Sequence, residues 1–218
     1  MKILKIFPII FIFSCSTFKT SNIAPGYIET YKAVKQAIIG YEETGLSREL
    51  IDDIPFASMT LQIGKGPTGL MILESVKDNE YIWVSADKVY IVFRNGRVIQ
   101  TGGLENNLKS VIYPNINFKK IINEGYSKFK AYYSYTDPVL NNLELEVIYS
   151  VKGKEEIEIL DRQYSLMLVN ERISNRLLGW NFINSYWVDD QGFVMKSNQI
   201  INPRLPKFSF QITKKPSK

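Results

Sequence analysis

From residue 57 onward, hydrophobic and polar residues alternate with a period of two. The alternating segments are rich in Val, Ile, Tyr and Trp: ASMTLQIG, GLMILESVKD, EYIWVSAD, KVYIVFR and RVIQTGG, then KFKAYYSYT, LELEVIYSVKG, EEIEILDRQYSLMLVNERI, LGWNFINSYWVDD, GFVMKSNQII and KFSFQITKK. This alternation is typical of half-buried β-strands. Asn95-Gly96 indicates a two-residue hairpin, because both central positions of that turn need a positive φ. The pattern predicts a mainly β protein with an antiparallel, barrel-like domain.

The residues before this region have a helical period instead. Five apolar side chains recur at helical spacing: Tyr27, Tyr31, Val34, Ile38 and Tyr41. They predict an N-terminal amphipathic helix that either covers the sheet or offers a surface to a partner or a membrane. Ser47 is placed to cap a single helical turn that ends before Pro55. Another short helix is expected around residues 118–123.

No internal repeat and no linker divides the β segments. Gly153 and the Asp190-Gln191-Gly192 sequence are interpreted as tight turns between strands. We therefore expect one β-rich domain over residues 27–218.

The first residues have the layout of a targeting signal. Lys2 and Lys5 precede an apolar run over residues 6–13, which is too short for a bilayer core that needs about 20 residues. The single cysteine, Cys15, follows at once. Three interpretations compete: a free thiol, the end of a membrane anchor, or a processing site. Ile12-Phe13-Ser14-Cys15 resembles the bacterial lipoprotein signal, in which the cysteine is acylated and becomes the mature N-terminus; the alternative is a chance cysteine after a plain signal peptide.

The lipoprotein interpretation sets the compartment. It makes residues 1–14 the signal peptide and residues 15–26 a polar, lipid-attached tether. The acyl chains on Cys15 hold the protein at a membrane. By resemblance to Gram-negative sorting signals, Ser16 favours the outer membrane, with the domain facing the periplasm.

The composition excludes several kinds of site. The chain has no histidine, which rules out Ser-His or Cys-His nucleophile pairs and His-ligated zinc. Its formal net charge of +5 is not gathered into a basic stripe with a recognisable module, so nucleic-acid binding is not expected. The GKGPTG sequence at residues 64–69 lacks the order of a phosphate-binding loop and leads into a strand, so it is predicted as a turn. We expect no cofactor and no metal.

Paired carboxylates are the enzymatic alternative, because glycoside cleavage needs two of them across the scissile bond. The candidates are Asp52, Asp53, Asp87, Glu171 and Asp189. Asp87 and Asp189 follow predicted strands, where aspartate commonly forms turns. We expect a turn-forming role for them and no enzymatic activity.

Aromatic and basic residues are the candidate contacts with a glycan or a partner: Trp83, Arg94, Arg97, Tyr186 and Trp187. Flat rings stack on sugar C–H groups, and arginine pairs with acidic substituents. The alternative is that the tryptophans fill the core, and that Arg94 and Arg97 are exposed charges flanking a hairpin tip.

Several segments, in order, resemble the YjbF/GfcB family of lipoproteins. The most specific are Ile54-Pro55-Phe56-Ala57-Ser58, Trp83-Val84-Ser85-Ala86-Asp87, Asn95-Gly96-Arg97 with Thr101 and Gly103, and Tyr186-Trp187-Val188-Asp189 with Gly192 and Ser197. The resemblance implies a periplasm-facing outer-membrane lipoprotein with a β-barrel-like domain. It further implies a role in capsule or exopolysaccharide secretion rather than in polysaccharide chemistry, with no catalytic residues to carry over.

Two functions therefore remain open. One is a non-enzymatic component of capsule or exopolysaccharide secretion that contacts export proteins of the outer membrane and periplasm, or the polysaccharide itself. The other is a periplasmic carrier that binds glycan or lipid inside its barrel. A cavity of several hundred Å³ among the inward-facing residues favours the carrier, and a filled interior excludes it.

Overall fold

Twelve antiparallel strands form one sheet in the computed structural model, which describes residues 46–104 and 106–217. The strands are β1 (Ser58–Ile63), β2 (Thr68–Lys77), β3 (Glu80–Ser85), β4 (Tyr90–Arg94), β5 (Arg97–Gly102), β6 (Leu108–Ile112), β7 (Tyr126–Thr136), β8 (Val139–Ile159), β9 (Arg162–Asn175), β10 (Trp180–Val188), β11 (Val194–Gln199) and β12 (Phe208–Lys214). Their order in the sheet is β5-β4-β3-β2-β1-β12-β11-β10-β9-β8-β7-β6. The predicted mainly β, barrel-like fold is confirmed. The predicted helix near residues 27–41, the tether and Cys15 lie outside the described residues.

The two end strands of the sheet, β5 and β6, meet through side chains and nearly close the barrel. The Leu108 amide donates to Thr101 Oγ1 at 2.9 Å, and the Leu104 amide donates to Asn107 Oδ1 at 3.1 Å. Thr101 Oγ1 also donates to Asn107 Oδ1 at 3.3 Å. The bond from Leu108 joins β6 to β5 and occupies an amide that an open sheet edge would otherwise expose, and the two bonds to Asn107 hold the loop between these strands.

The period of two along the strands fills the barrel interior. On β8, for example, Leu145, Val147 and Tyr149 are fully buried, while the neighbouring Glu144 and Glu146 are on the outer face. Burying one such apolar side chain contributes about 1.5–3 kcal/mol to folding. The interior is the largest hydrophobic core of the described chain.

The outer parts of β8 and β9 form an arm, residues 152–168, that lies over the outside of the barrel. Ile159 and Leu166 of the arm pack on Trp187 and Met195 of β10 and β11. The predicted turn at Gly153 is therefore wrong. Gly153 has a φ of 138° and lies at a bulge inside β8, and the chain reverses later, at Leu160 and Asp161. A positive φ at one glycine serves a bulge as well as a turn.

Two short helices complete the described chain. Helix α1 (Arg48–Asp53) is capped by Ser47, whose side chain accepts from the Leu50 amide at 3.3 Å, as predicted. Arg48 donates to the carbonyls of Ile159 and Thr213, both at 3.0 Å, and so ties α1 to the arm and to β12.

Helix α2 (Phe118–Glu124) confirms the second predicted helix. Asn117 caps it by accepting from the Lys120 amide at 3.2 Å. Phe118 is buried against the rings of Tyr149 and Tyr186, with ring centroids 5.8 Å and 5.1 Å apart. Neither helix of the described residues is long and apolar enough to cross a membrane.

The predicted hairpin turn at Asn95-Gly96 is confirmed. Both residues have positive φ, 50° and 73°, and Arg94 pairs with Arg97 across the turn. The turns predicted at residues 64–69 and 190–192 are present as well, although the first is shorter because β2 already begins at Thr68. A Cβ atom on Gly96 would overlap the Val194 side chain and lie 2.6 Å from its Cβ. Gly96 is thus required by both its φ and its close contact with β11.

The substitution Gly96→Ala should destabilise the protein more than Gly179→Ala. Gly179 also has a positive φ, 64°, but nothing lies within 4 Å of its Cβ position. The control Gly179→Ala should therefore lower the free energy of unfolding by about 1 kcal/mol, from backbone strain alone. Gly96→Ala adds overpacking against Val194 and should lower the free energy of unfolding by about 3 kcal/mol. Urea denaturation measures both values, and equal losses would show that Val194 moves aside without cost.

Candidate functional site

A cavity of about 340 Å³ opens at one end of the barrel. The turn between β2 and β3, the Asn95-Gly96 turn, the turn at residues 189–192 and the segment before α2 surround its mouth. Antiparallel strands bring alternate turns to the same end of a sheet, which is why segments distant in sequence meet here. The sequence left open whether the barrel interior is filled. Most of the interior is filled, but this end contains the cavity.

Five carboxamide side chains form what we call the rim: Asn79, Asn95, Asn115, Asn117 and Gln191. Asn79 and Asn95 have φ values of 65° and 50°, a conformation that asparagine tolerates better than most residues. Asn79 Nδ2 donates to Asn95 Oδ1 at 3.0 Å, and Asn95 Nδ2 donates to Asn115 Oδ1 at 2.9 Å. These bonds hold three separate loops in one arrangement.

Apolar side chains form the floor of the cavity: Met59, Trp83, Phe93, Phe118 and Phe210. Phe93 and Phe210 meet edge to face, with centroids 4.9 Å apart and planes at 85°. Trp83 is only 2% exposed, so it packs in the core as well as lining the cavity. Tyr81 is half-buried between rim and floor. The cavity is therefore polar at its mouth and aromatic below.

An ion pair lies in the barrel interior beside α2. Arg97 Nη2 is 2.8 Å from Glu171 Oε1, and the two side chains are 1% and 0% exposed. Three neutral groups also donate to the carboxylate: Tyr149 Oη at 2.6 Å, Tyr186 Oη at 2.7 Å and Asn184 Nδ2 at 2.8 Å. Glu171 thus has a full set of partners, which offsets the cost of removing its charge from water.

The guanidinium of Arg97 lies between two aromatic rings. Its Cζ is 4.9 Å from the centroid of Tyr113 and 5.5 Å from that of Tyr133, and Nη2 also donates to Tyr133 Oη. Arg97 Nε and Nη1 make no hydrogen bond to the described residues, so the ring faces are their main electrostatic contact. Burial alone would lower the pKa of Arg97, but Glu171 overcomes this and holds that pKa well above its usual value.

Burial changes the acidity of the surrounding tyrosines. It raises the pKa of Tyr113 to about 12, against the opposing effect of Arg97. It also raises the pKa of Tyr149 and Tyr186 well above the ordinary value, and the negative charge of Glu171 adds to the shift. These phenols therefore stay protonated and act as hydrogen-bond donors at neutral pH.

Comparison with known proteins gives the family. The sequence profile described as group 4 capsule polysaccharide lipoprotein gfcB, YjbF, matches residues 31–213. The chain belongs to the YjbF family. This confirms the resemblance drawn from the sequence.

Two relatives match most of this chain in sequence, and one solved structure matches it in fold. The uncharacterized lipoproteins YjbF and GfcB of Escherichia coli K12 are both 23% identical to this chain, over 76% and 80% of it and 78% and 82% of their own lengths. The crystal structure of the hypothetical lipoprotein YmcC from Escherichia coli K12 matches with a TM-score of 0.73 at 22% identity. It covers 84% of this chain and 95% of that one, and supports the fold.

The five contacts proposed from the sequence do not meet at one site in this YjbF-family chain. Arg97 is buried in the ion pair, so the interpretation as an exposed charge at the hairpin tip is wrong. Tyr186 donates to Glu171 and is fully buried. Trp83 lines the cavity. Arg94 is half-buried beside the rim and pairs with Glu80. Trp187 lies on the outer face under the arm, where Nε1 donates to Glu155 at 2.7 Å.

Three of the five candidate carboxylates have structural partners; Asp52 and Asp53 are exposed on α1, where Asp52 Oδ2 lies 4.0 Å from Arg162 Nη2. Asp189 accepts from the amides of Gln191 and Phe193 at 3.0 Å and 2.8 Å, which confirms its predicted turn role. Asp87 accepts from Ser85 Oγ, and Glu171 is enclosed in the interior. Over residues 46–104 and 106–217, no cluster of three or more acidic residues or cysteines could hold a metal ion.

Sequence reasoning missed the rim. Asn95 and Gln191 were interpreted only as turn residues, and Asn79, Asn115 and Asn117 were not singled out. The available signal was that Asn79, Asn95 and Gln191 lie in turns that alternate along the chain, which an antiparallel sheet brings to one end.

Replacing Arg97 by methionine should strongly destabilise the protein, because Glu171 would keep a buried charge without its partner. The expected loss is about 3–5 kcal/mol. The matched control is Arg94→Met, which breaks the ion pair to Glu80 where both side chains are about a third exposed, and should cost at most about 1 kcal/mol. Denaturant titration compares the two, and equal midpoints would mean that the buried pair contributes no more than the exposed one.

Stability should fall steeply as the pH rises above about 10. Burial raises the folded-state pKa of five tyrosines: Tyr113, Tyr133, Tyr135, Tyr149 and Tyr186. An unfolded tyrosine ionises near pH 10, so above this value the unfolded state releases protons that the folded state retains. The stabilisation is complete below pH 10. Above pH 10, each of these tyrosines lowers the free energy of unfolding by up to about 1.4 kcal/mol per pH unit.

Urea denaturation between pH 8 and pH 11.5 measures this decline. Tyr113→Phe should make it shallower, because one ionising group is removed from the unfolded chain. An unfolding free energy that stays constant between pH 9 and pH 11 would contradict the burial of these phenols.

Proposed function

We propose that this chain is an outer-membrane lipoprotein that takes part in capsule or exopolysaccharide secretion or assembly as a non-enzymatic component. The observation that carries this proposal is the match of the group 4 capsule polysaccharide lipoprotein family over residues 31–213. The match covers the whole barrel up to β12, so the proposal concerns the domain and not only its leader.

The carboxylates support a role without catalysis. General acid–base cleavage of a glycosidic bond needs two carboxyl groups that face a common open space. Glu171 is fully buried and accepts from four side chains, while Asp189 is bonded to its own turn and to Lys215. The chain also has no histidine to act as a base. Asp87, Glu171 and Asp189 thus each have a structural role that explains their presence.

Anchoring through Cys15 supports the location. Lys2, Lys5 and the apolar run before Cys15 match a lipoprotein signal, and the family is one of lipoproteins. The acyl chains at Cys15 would hold the protein at the membrane, since stable anchoring takes two or more lipid signals. Ser16 after the cysteine favours the outer membrane, with the barrel in the periplasm near export proteins of that membrane.

A periplasmic carrier of glycan or lipid is the second candidate function. The cavity of about 340 Å³ at the end of the barrel favours it, because small-molecule sites commonly enclose roughly 300–1,000 Å³. The two functions are compatible, since a secretion component can bind the polymer that it helps to export.

Deleting the gene should lower the amount of polysaccharide at the cell surface, and the wild-type chain should restore it. A Cys15→Ser variant should be neither acylated nor held in the outer-membrane fraction, and should restore little surface polymer. Mass spectrometry of the mature N-terminus, membrane fractionation and quantification of surface polysaccharide measure the three effects. An unmodified Cys15 in the wild-type protein would refute the anchor.

Catalysis is tested separately with the purified full-length protein and the polysaccharide of the same cells. We expect no release of reducing ends or unsaturated sugars. Cleavage by the wild type that is lost in Asp189→Asn, with the fold retained, would overturn the non-enzymatic assignment.

A further inference from the structure

We propose that the cavity at the end of the barrel binds a short saccharide segment, with the carboxamide rim contacting its hydroxyl groups and the aromatic side chains contacting its ring faces. This deepens the proposed function and rests on it for the source of the saccharide, namely the polymer whose secretion the protein serves.

The rim has the hydrogen-bonding chemistry that a sugar requires. A sugar hydroxyl both donates and accepts, and a carboxamide offers two donors and one acceptor oxygen on a neutral group. Within the described residues, Asn79 Oδ1, Asn115 Nδ2 and the side chain of Gln191 have no hydrogen-bond partner. Both donors and acceptors are therefore available at the mouth.

The aromatic side chains that line the cavity suit the apolar C–H faces of a sugar. Tyr81 is half-buried at the cavity wall, above the floor rings of Trp83, Phe93 and Phe210. Trp83, Phe93 and Phe210 are only 2%, 7% and 3% exposed, so Tyr81 offers the largest contact area of these four rings, at a low cost in conformational entropy. A ligand with apolar C–H faces and polar edges matches this arrangement, with its edges at the rim and one face toward the rings.

The lining does not suit an acyl chain equally well. A lipid site needs continuous apolar surface, whereas here carboxamides ring the entrance and Ser197 interrupts the inner wall. The volume of about 340 Å³ is at the lower end for small-molecule pockets, which limits the ligand to a short stretch of a longer polymer. None of the side chains that line the cavity is acidic, so acidic sugars would meet no like charge.

The rim is held in place before any ligand arrives. Asn95 bridges Asn79 and Asn115, and Asn117 is fixed as the cap of α2. Helix α2 is in turn fixed by Phe118, which packs on Tyr149 and Tyr186 beside the buried ion pair. A preorganised site loses less conformational entropy on binding.

The test uses the full-length lipidated protein in detergent micelles. The probe is the set of short oligosaccharides that mild acid releases from the surface polysaccharide of the cells that make this protein. Titration calorimetry should give a dissociation constant, and ¹H–¹⁵N spectra should show shifts of the side-chain amide signals of Asn79, Asn115 and Gln191.

The decisive variant is Asn115→Ala combined with Gln191→Ala, two rim positions with ordinary φ values that do not cap a helix. It should keep the fold and raise the dissociation constant by about tenfold or more. The matched control is Asn181→Ala, an exposed carboxamide on β10 outside the cavity, which should bind like the wild type. Equal affinity of the double variant and the wild type would overturn the proposal.

Two further outcomes also overturn it. One is the absence of oligosaccharide binding by the folded wild-type protein, and the other is binding of a fluorescent fatty acid that the oligosaccharides do not displace. If binding fails while gene deletion still lowers surface polysaccharide, this inference fails and the proposed function stands. If oligosaccharides bind the rim while deletion leaves the surface polysaccharide unchanged, the saccharide site stands and the proposed function fails.

Discussion

The ion pair between Arg97 and Glu171 joins two strands that are far apart in the sheet. β5 is the end strand of the sheet, and β9 lies eight places away in its order, so the pair spans the barrel interior. Gln199 of β11 reinforces this link, because it accepts from the Val98 amide and donates to the Gly96 carbonyl, both at 3.0 Å. The turn before β5 carries Gly96, which approaches Val194, and β5 itself carries Thr101, which bonds β6, so the position of β5 sets both contacts. Tyr149 and Tyr186, which donate to Glu171, support α2 through Phe118.

Such a pair is not in itself an efficient source of stability. The desolvation of two ions costs several kcal/mol each, and an apolar replacement is often equally stable. What the pair does provide is a single geometry, since Glu171 on β9 has specific partners on β5, β8 and β10 that no shifted register would satisfy. We interpret the cluster as the element that sets which strands face each other across the barrel, and through Phe118 it also fixes one wall of the cavity.

The sequence predicted local elements well and long-range ones poorly, for physical reasons. The Asn95-Gly96 hairpin, the capped turn at Ser47 and the helix at Phe118 are determined by neighbouring residues, and all three are present.

The prediction of a turn at Gly153 was wrong because one glycine with positive φ fits either a bulge or a turn, and only the pairing of β8 with β9 decides between them. Arg97 was misjudged because a charge beside a turn is usually solvated. The alternation along β9 held a usable signal. Glu171 lies on the same face of the strand as Val169 and Ile173, both fully buried, so its carboxylate lies inside the barrel and needs a buried cation as a partner. The rim was harder to predict, because the alternation of its turns places them at one end of the sheet but only the closed barrel brings them into contact.

The position of β1 has a consequence for how the barrel forms. β1 pairs on one side with β2 and on the other with β12, the last strand of the chain, through partners such as Leu61 and Phe210. The first and last strands are thus neighbours inside the sheet, and the gap in the barrel falls in the middle of the sequence, between β5 and β6. Because a chain is synthesised from its N-terminus, β1 must wait for nearly the whole domain before its second neighbour β12 is made. Pairing across so long a stretch of sequence is slow to form. Until then β1 presents an unpaired edge, the feature most prone to association between chains, and protection of that edge while the domain is incomplete becomes part of the requirements of this fold.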